Sequence, residues 1–363
     1  MPLAPSFVNL IDVEALARDR LPPAVYDYFA GGANDEITVA QNRRGYEELA
    51  LRPRVLVDVS RCDTRVRLLG SEQPTPFVVA PMALQRMAHL EGEGATARAA
   101  AAIGAGMAIS TLASMSVEEI CRAAARPPWF QLYIHRDRGI TRALVERAAA
   151  AGCGALLLTV DTPVLGRRER DVRNAFLPPA TATIANIVSS AQSATIAAAA
   201  EGSALAAHFA GMHDPSVTWR DLEWLQSISA LPLVLKGVVR ADDARRAVGH
   251  GAKGIVVSNH GGRQLDSTIA TVRALPEVAE AVAGAADVLV DGGVRRGTDV
   301  VKALALGAKG VLIGRPVLWG LAVDGEAGAV RVLTLLKEEL ELAMALCGCA
   351  AISDVTRDLV AWP

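Results

Sequence analysis

The chain has 363 residues, a length that a single α/β barrel commonly takes, and 51% of them are hydrophobic against 21% charged. With a formal net charge of −2 and no basic stripe, it is not expected to bind nucleic acid. Five cysteines (Cys62, Cys121, Cys153, Cys347 and Cys349) form neither a paired framework nor a metal box, so no metal site is expected.

The first seventy-odd residues predict helices over 13–20, 24–30 and 35–46, then a short β-prone stretch. From there, short apolar runs alternate with alanine-rich helical stretches. The runs fall at 77–80, 106–110, 129–133, 155–161, 233–236, 254–258, 287–291 and 310–314. Each is continuous rather than alternating, as expected of parallel strands buried on both faces. Helices are expected between them over 94–103, 117–125, 141–151, 241–249 and 298–306. Eight such units predict a (β/α)8 TIM barrel, with a doubly wound sheet as the alternative. The chain then divides as one domain over 1–363: N-terminal segment 1–75, barrel 76–345 and tail 346–363. This N-terminal segment, helices and β-prone stretch together, is expected to plug the barrel bottom and to send one loop around to its top.

The spacing breaks once, between the fourth and fifth runs. Residues 178–216 are rich in Ala, Ser and Thr and predict a lid over the fourth βα loop. Their apolar stretch, 195–207, is too short and too weakly hydrophobic to span a bilayer.

Catalytic groups of such barrels sit at the C-terminal ends of strands. Those ends carry Ser110, Gln131 with Tyr133, Thr159 with Asp161, Lys236, His260 with Arg263, Asp291 and Arg315. That concentration of polar groups after apolar runs points to an active site. In Ser258-Asn259-His260-Gly261-Gly262-Arg263, a guanidinium can grip a carboxylate while an imidazole takes a proton from the neighbouring carbon or hydroxyl. His135, His208, His213 and His250 lack that setting and are expected to be packing or surface residues, with His89 stabilising a turn. Asp291-Gly292-Gly293-Val294-Arg295 and Ile313-Gly314-Arg315-Pro316 predict a phosphate site after strands seven and eight. Lys236 could form a Schiff base or hold an anionic ring. No G-x-G-x-x-G after a strand, Walker A or H-E-x-x-H sequence is present, which leaves nicotinamide, nucleoside-triphosphate and zinc-protease chemistry without support.

With residues 258–266, Lys236-Gly237, 291–295 and 303–308 in this order, the whole chain resembles the FMN-dependent L-2-hydroxy-acid oxidases and dehydrogenases. The resemblance implies that His260 is the catalytic base and that Asp161 pairs with it. It implies that Arg263 and Tyr28 bind the substrate carboxylate, with Arg168 assisting and Tyr133 hydrogen-bonding the substrate. Ala80, Pro81, Met82, Ala83, Ser110, Gln131, Thr159 and Ser258 are implied as flavin contacts, and Lys236 as the cation beside the ring. Asp291 is implied for the ribityl chain, and Gly292, Gly293, Arg295, Gly314 and Arg315 for the phosphate end.

Met82 and Leu112 stand where the glycolate-oxidising pattern has Thr and Trp, which resembles the lactate-oxidising branch, and Met212 is expected to reach the substrate from the lid. Ala83 matches the oxidases of the family, so oxygen is the expected acceptor, with a quinone- or cytochrome-linked dehydrogenase as the alternative. A non-catalytic phosphate-binding barrel and a Schiff-base aldolase are the rivals from other classes. The family's habit implies a homotetramer or octamer. No signal peptide, membrane anchor or peroxisomal address is expected, and the cytoplasm is the expected location.

Overall fold

A computed structural model describes residues 7–187 and 211–362. Three helices come first: α1 (Leu10–Arg20), α2 (Pro23–Ala30) and α3 (Ile37–Glu47). Their starts have local causes. Asn9 Oδ1 accepts from Ile11 N and Asp12 N, and Pro23 opens α2 with no amide hydrogen to satisfy. The Asp266 carboxylate, more than 200 residues away, accepts from Thr38 N at 2.8 Å and holds the start of α3. A short strand, β1 (Ala50–Leu51), and the hairpin β2 (Val66–Leu68) and β3 (Ser71–Gln73) come next.

Eight parallel strands then close a barrel: β4 (Phe77–Val79), β5 (Gly106–Ile109), β6 (Trp129–Leu132), β7 (Ala155–Thr159), β8 (Leu233–Val238), β9 (Gly254–Val257), β10 (Asp287–Val290) and β11 (Gly310–Ile313). Closure is the β11–β4 pairing, with Leu312 opposite Val78. The unbroken apolar runs reflect burial on both sides. Val78, Ala108, Leu157, Val234, Val256, Leu289 and Leu312 pack together inside the barrel. Their chain neighbours, among them Val79, Ile109, Leu158, Val257 and Ile313, pack in the surrounding helical layer. Seven of the eight predicted runs overshoot the observed strands by one or two residues. Those extra positions include Ser110, Tyr133, Asp161, Ser258 and Asp291, polar side chains at the C-terminal ends of the strands.

The helical layer comprises α4 (Gly92–Ile103), α5 (Val117–Ala123), α6 (Arg138–Ala150), α7 (Glu169–Arg173), α8 (Arg220–Ile228), α9 (Ala241–Gly249), α10 (Thr271–Val282), α11 (Gly297–Ala305) and α12 (Arg315–Leu346), the last turning a corner at Asp324 and Gly325. Strand β12 (Val360–Ala361) pairs antiparallel with β1 and ties the tail to the N-terminal segment.

Within the N-terminal segment expected to plug the barrel bottom, the part that does so is the β2–β3 hairpin and not the helices. Leu68 packs with the interior residues, and Leu69 N donates to Asp287 Oδ2 at the foot of β10. The helices lie elsewhere: α1 packs on α12, and α3 lies against the loop after β9. Asn42 of α3 and Asn259 of that loop exchange two side-chain hydrogen bonds of 2.8 Å. Most of the predicted lid, including 195–207 and His208, lies outside the described residues. Its flanks are docked on the barrel top. Asn186 caps α5 through Val117 N and also accepts from Arg147, and Asp214 N donates to Ile134 O. Among the described residues, no helix is long and apolar enough to cross a membrane.

Candidate active site

A cavity of about 1110 Å³, counted to its open mouth, lies at the C-terminal ends of the barrel strands. Its wall is built from the residues that end the strands. Arg168, Lys236, Arg263, Arg295 and Arg315 line it, against a single carboxylate among the described residues, Asp291. A buried excess of positive charge on that scale calls for anions.

The catalytic corner centres on His260. Its Nδ1 lies 2.9 Å from Asp161 Oδ1, which also accepts from the Thr162 hydroxyl at 2.9 Å. Asp161 does not line the cavity; it lies behind the imidazole. Burial works to raise the Asp161 pKa, but His260 and Lys236 more than offset it and the carboxyl is held below its usual range. A carboxylate can only accept, so Nδ1 carries the ring hydrogen and Nε2 presents a lone pair to the cavity. Burial, helped by Lys236 and Arg168, lowers the His260 pKa despite Asp161, so the ring is neutral at neutral pH and fit to accept a proton. The backbone that aims the ring is unusual. His260, Gly261 and Gly262 all have left-handed φ (59°, 63° and 77°), a conformation costly for histidine and held here by the Asn42–Asn259 lock.

The arginines are fixed by the C-terminal end of α2. A helix leaves its last carbonyls unpaired, and they carry the negative end of its dipole. Arg263 Nη1 donates to Tyr28 O and Gly31 O at 2.7 Å each, and its guanidinium lies 5.2 Å above the Tyr28 ring. Arg315 donates to Phe29 O, Gly31 O and Gly261 O at 3.0 Å each. Burial first, then neighbouring guanidinium charge, brings Arg263 down to about 10 and Arg315 down to about 9. Both remain cationic at neutral pH. Arg168 Nε is buried with no hydrogen-bond partner among the described residues. Tyr28 stacks on Phe176 at 4.7 Å, and Tyr133 meets the His213 ring edge-on at 5.5 Å.

Lys236 Nζ donates to Ser258 Oγ at 2.9 Å and lies 3.1 Å from Asp291 Oδ2. Burial opposes its charge, yet Asp291 and Asp161 outweigh burial and its pKa is raised. An ammonium held charged is a poor nucleophile, which counts against the Schiff-base aldolase. Ser258, which the resemblance implied as a flavin contact, is fully buried behind Lys236, where its hydroxyl also accepts from His260 N, and it does not line the cavity. Along the adjoining wall, the Gln131 amide is oriented by Thr111 N and Thr159 Oγ1, and Ser110 Oγ accepts from Leu112 N.

At the opposite end, the loops after β10 and β11 bring Gly292, Gly293, Arg295, Gly314 and Arg315 to one wall. A side chain on Gly293, at φ 87°, would put its Cβ 2.1 Å from Asn42 O, so only glycine lets this loop pass α3. Asp291 Oδ1 is buried with no partner among the described residues, an acceptor aimed into the cavity.

The structure thus brings Tyr28, Ala80, Pro81, Met82, Ala83, Leu112, Tyr133, His260 and the other predicted wall residues to one cavity, with Asp161 and Ser258 one layer behind. Met212 is not brought there; it is half-buried, and its carbonyl accepts from Arg136 N. The wall also holds Phe29, Leu165 and Pro316, which sequence reasoning missed. Phe29 and Pro316 each adjoin a predicted residue, whereas Leu165 carries no sequence signal of its own.

Comparison with known proteins gives a consistent result. An L-lactate oxidase from a Nostoc species is 55% identical over 96% of both chains. A glycolate oxidase from Spinacia oleracea is 49% identical over 97% of this chain and 95% of its own. The crystal structure of a mandelate oxidase with (S)-4-hydroxymandelic acid superposes with a TM-score of 0.92 at 45% identity, covering 98% of each chain. The family model described as FMN-dependent dehydrogenase matches residues 17–362. A cavity with a cationic glycine-rich end, an unpartnered buried acceptor and a neutral histidine fits FMN, and this chain belongs to the FMN-dependent dehydrogenase family.

Proposed function

We propose that this protein oxidises a small L-2-hydroxy acid to its 2-oxo acid, with L-lactate preferred and glycolate and larger acids slower, and passes the electrons to O2 to give H2O2. The carrying observation is that the His260 imidazole and the Arg168 and Arg263 guanidiniums line one cavity, with Asp161 behind the imidazole. The names of the relatives, for L-lactate, glycolate and mandelate, share one substrate class.

FMN, when bound, accepts the two electrons that leave the hydroxy acid. Gly292, Gly293, Arg295, Gly314 and Arg315 would hold its phosphate end, and the free acceptor of Asp291 a ribityl hydroxyl. The loop 80–83, Ser110, Gln131, Thr159 and Lys236 would hold its ring. Arg263 and Arg168 grip the substrate carboxylate, with Tyr28 and Tyr133 beside them, and so fix the hydroxyl-bearing carbon relative to His260. His260 Nε2 takes the proton the substrate releases, and Asp161 stabilises the resulting imidazolium. Met82, Leu112 and Leu165 make the adjoining wall apolar, which suits a methyl better than a bare hydrogen. One methyl in such a pocket is worth only about 1–3 kcal/mol, so glycolate and larger acids should still react.

We also place the protein in the cytoplasm as a homotetramer or octamer. Five free thiols support the first, and exposed apolar side chains such as Val55, Leu56, Leu342 and Leu346 support the second. The test of the reaction is to mix the yellow holoenzyme with L-lactate without oxygen, follow bleaching of the flavin absorbance, then admit air and measure peroxide. Rapid bleaching and rapid peroxide release are expected. Absence of bleaching with any 2-hydroxy acid would overturn the chemistry, and bleaching followed by slow reoxidation would overturn oxygen as the acceptor.

A further inference from the structure

Two of the five cysteines stand apart from the catalytic machinery and in contact with each other. Cys121 on α5 and Cys153, in the turn between α6 and β7, have their sulfurs 3.7 Å apart although they are 32 residues apart in sequence. They lie at the foot of β7, the end of the barrel opposite the cavity. Cys121 is part-exposed, whereas Cys153 is buried. The other three thiols bond to backbone carbonyls or lie buried with no comparable partner among the described residues.

We propose that Cys121 and Cys153 are a peroxide-sensitive dithiol that closes to an intramolecular disulfide. The oxidant is the H2O2 that the proposed oxidase reaction releases, so supply of the oxidant rests on that function while the thiol geometry does not. The chemistry balances as two thiols plus H2O2 giving one disulfide and two waters. The Cys121 thiolate attacks one peroxide oxygen, the O–O bond breaks, and a sulfenic acid and water form. The Cys153 sulfur then attacks the sulfenic sulfur, the S–O bond breaks, and the second water leaves with the Cys153 proton.

The two thiols are unequal in the sense this requires. The hydrogen bond from the Cys153 thiol lowers the Cys121 pKa against burial and Glu118, which makes Cys121, the part-exposed member of the pair, the better thiolate. The same contact and burial raise Cys153, which keeps the resolving sulfur protonated until it is used. The backbone also has room to adjust. Bonded sulfurs lie about 2.05 Å apart, so the pair must close by roughly 1.6 Å. Cys153 is flanked by Gly152, at φ 91° with open space around it, and Gly154. A disulfide here would staple α5 to the strand that carries Thr159 and leads into Asp161.

The experiment treats the reduced holoenzyme with a few equivalents of H2O2, quenches with an alkylating agent under denaturing conditions, and maps the cysteines by peptide mass. The expected result is a fall from five alkylatable thiols to three, one linked Cys121–Cys153 peptide lighter by two hydrogens, and full recovery with dithiothreitol. In Cys153→Ser, Cys121 should instead accumulate as a sulfenic acid that dimedone traps. Unlinked sulfinic acid on Cys121, linkage of another pair, or five intact thiols would each overturn the proposal. A parallel arm generates peroxide by turnover of L-lactate in air, with and without catalase. Linkage by added peroxide but none by turnover leaves the dithiol standing and counts against oxygen as the electron acceptor.

Discussion

Replacing Asp161 with Asn isolates the electrostatic contribution to catalysis, because the amide keeps the size of the side chain and an acceptor oxygen but removes the charge. Asp161 Oδ1 is 2.9 Å from His260 Nδ1, which puts the centres of the two charges about 4 Å apart once the ring is protonated. At an effective dielectric of about 20, unit charges at that distance attract by about 4 kcal/mol. That attraction exists only when the imidazolium has formed, so its loss falls on the barrier. At roughly 1.4 kcal/mol per decade, kcat should drop by about three orders of magnitude. KM should change little, since Arg263 and Arg168 are untouched.

The pH profile supplies a second, independent readout. In the native protein the acid limb of kcat/KM should lie below 6.5, the usual imidazole value, because burial lowers His260. Asp161 works to raise that value. In Asp161→Asn the limb should therefore move further toward acid even as the plateau falls. Stopped-flow bleaching of the flavin under anaerobic conditions, run from acid to neutral pH, measures both. A loss of less than tenfold, or an acid limb that moves upward, would show that Asp161 does not support the imidazolium in this way.

Other variants test the remaining walls. Arg263→Lys keeps the charge but gives up the planar fork that bonds Tyr28 O and Gly31 O while facing the cavity; steady-state kinetics should show kcat/KM for L-lactate lower by about 10²-fold or more. Gly293→Ala must place its Cβ against Asn42 O at a left-handed φ; the purified protein should be colourless or lose FMN on gel filtration, with a lower melting temperature. The double substitution Met82→Thr with Leu112→Trp should turn the ratio of kcat/KM toward glycolate by roughly 10–200-fold, as competition assays with the two acids would read.

The fold was legible because barrel strands buried on both faces must be continuous and apolar, and eight such runs recur along this chain. The site was legible for a related reason, since the catalytic groups of such a barrel gather at the C-terminal ends of its strands, and polar residues that close or follow an apolar run stand out there. That logic found Lys236, Asp161 and His260 without any homologue. Ser258 entered only through the family resemblance, and the structure puts it behind Lys236, because alternate residues at a strand end face opposite sides and the last one before the loop can point either way. Strand-end logic missed Leu165, an apolar residue in a loop, for which no periodicity exists to read.

Strand position does not reveal how five cations are held together in one buried cavity. It explains why Arg263 and Arg315 reach the mouth, but not why they tolerate one another. The answer lies in α2, a helix of eight residues whose start is dictated by Pro23 and whose last carbonyls are left unpaired. Tyr28 O, Phe29 O and Gly31 O take four of the guanidinium hydrogen bonds between them, so the negative end of one helix neutralises part of the charge that the substrate and the FMN phosphate would otherwise have to balance alone. Gly261 O, from the same left-handed turn that aims His260, accepts one more bond from Arg315. The N-terminal segment is therefore part of the active site and not an accessory to the barrel. A carbonyl has no side-chain signature, which is why this role is invisible until the helix and the two arginines, more than 230 residues apart, are seen in contact.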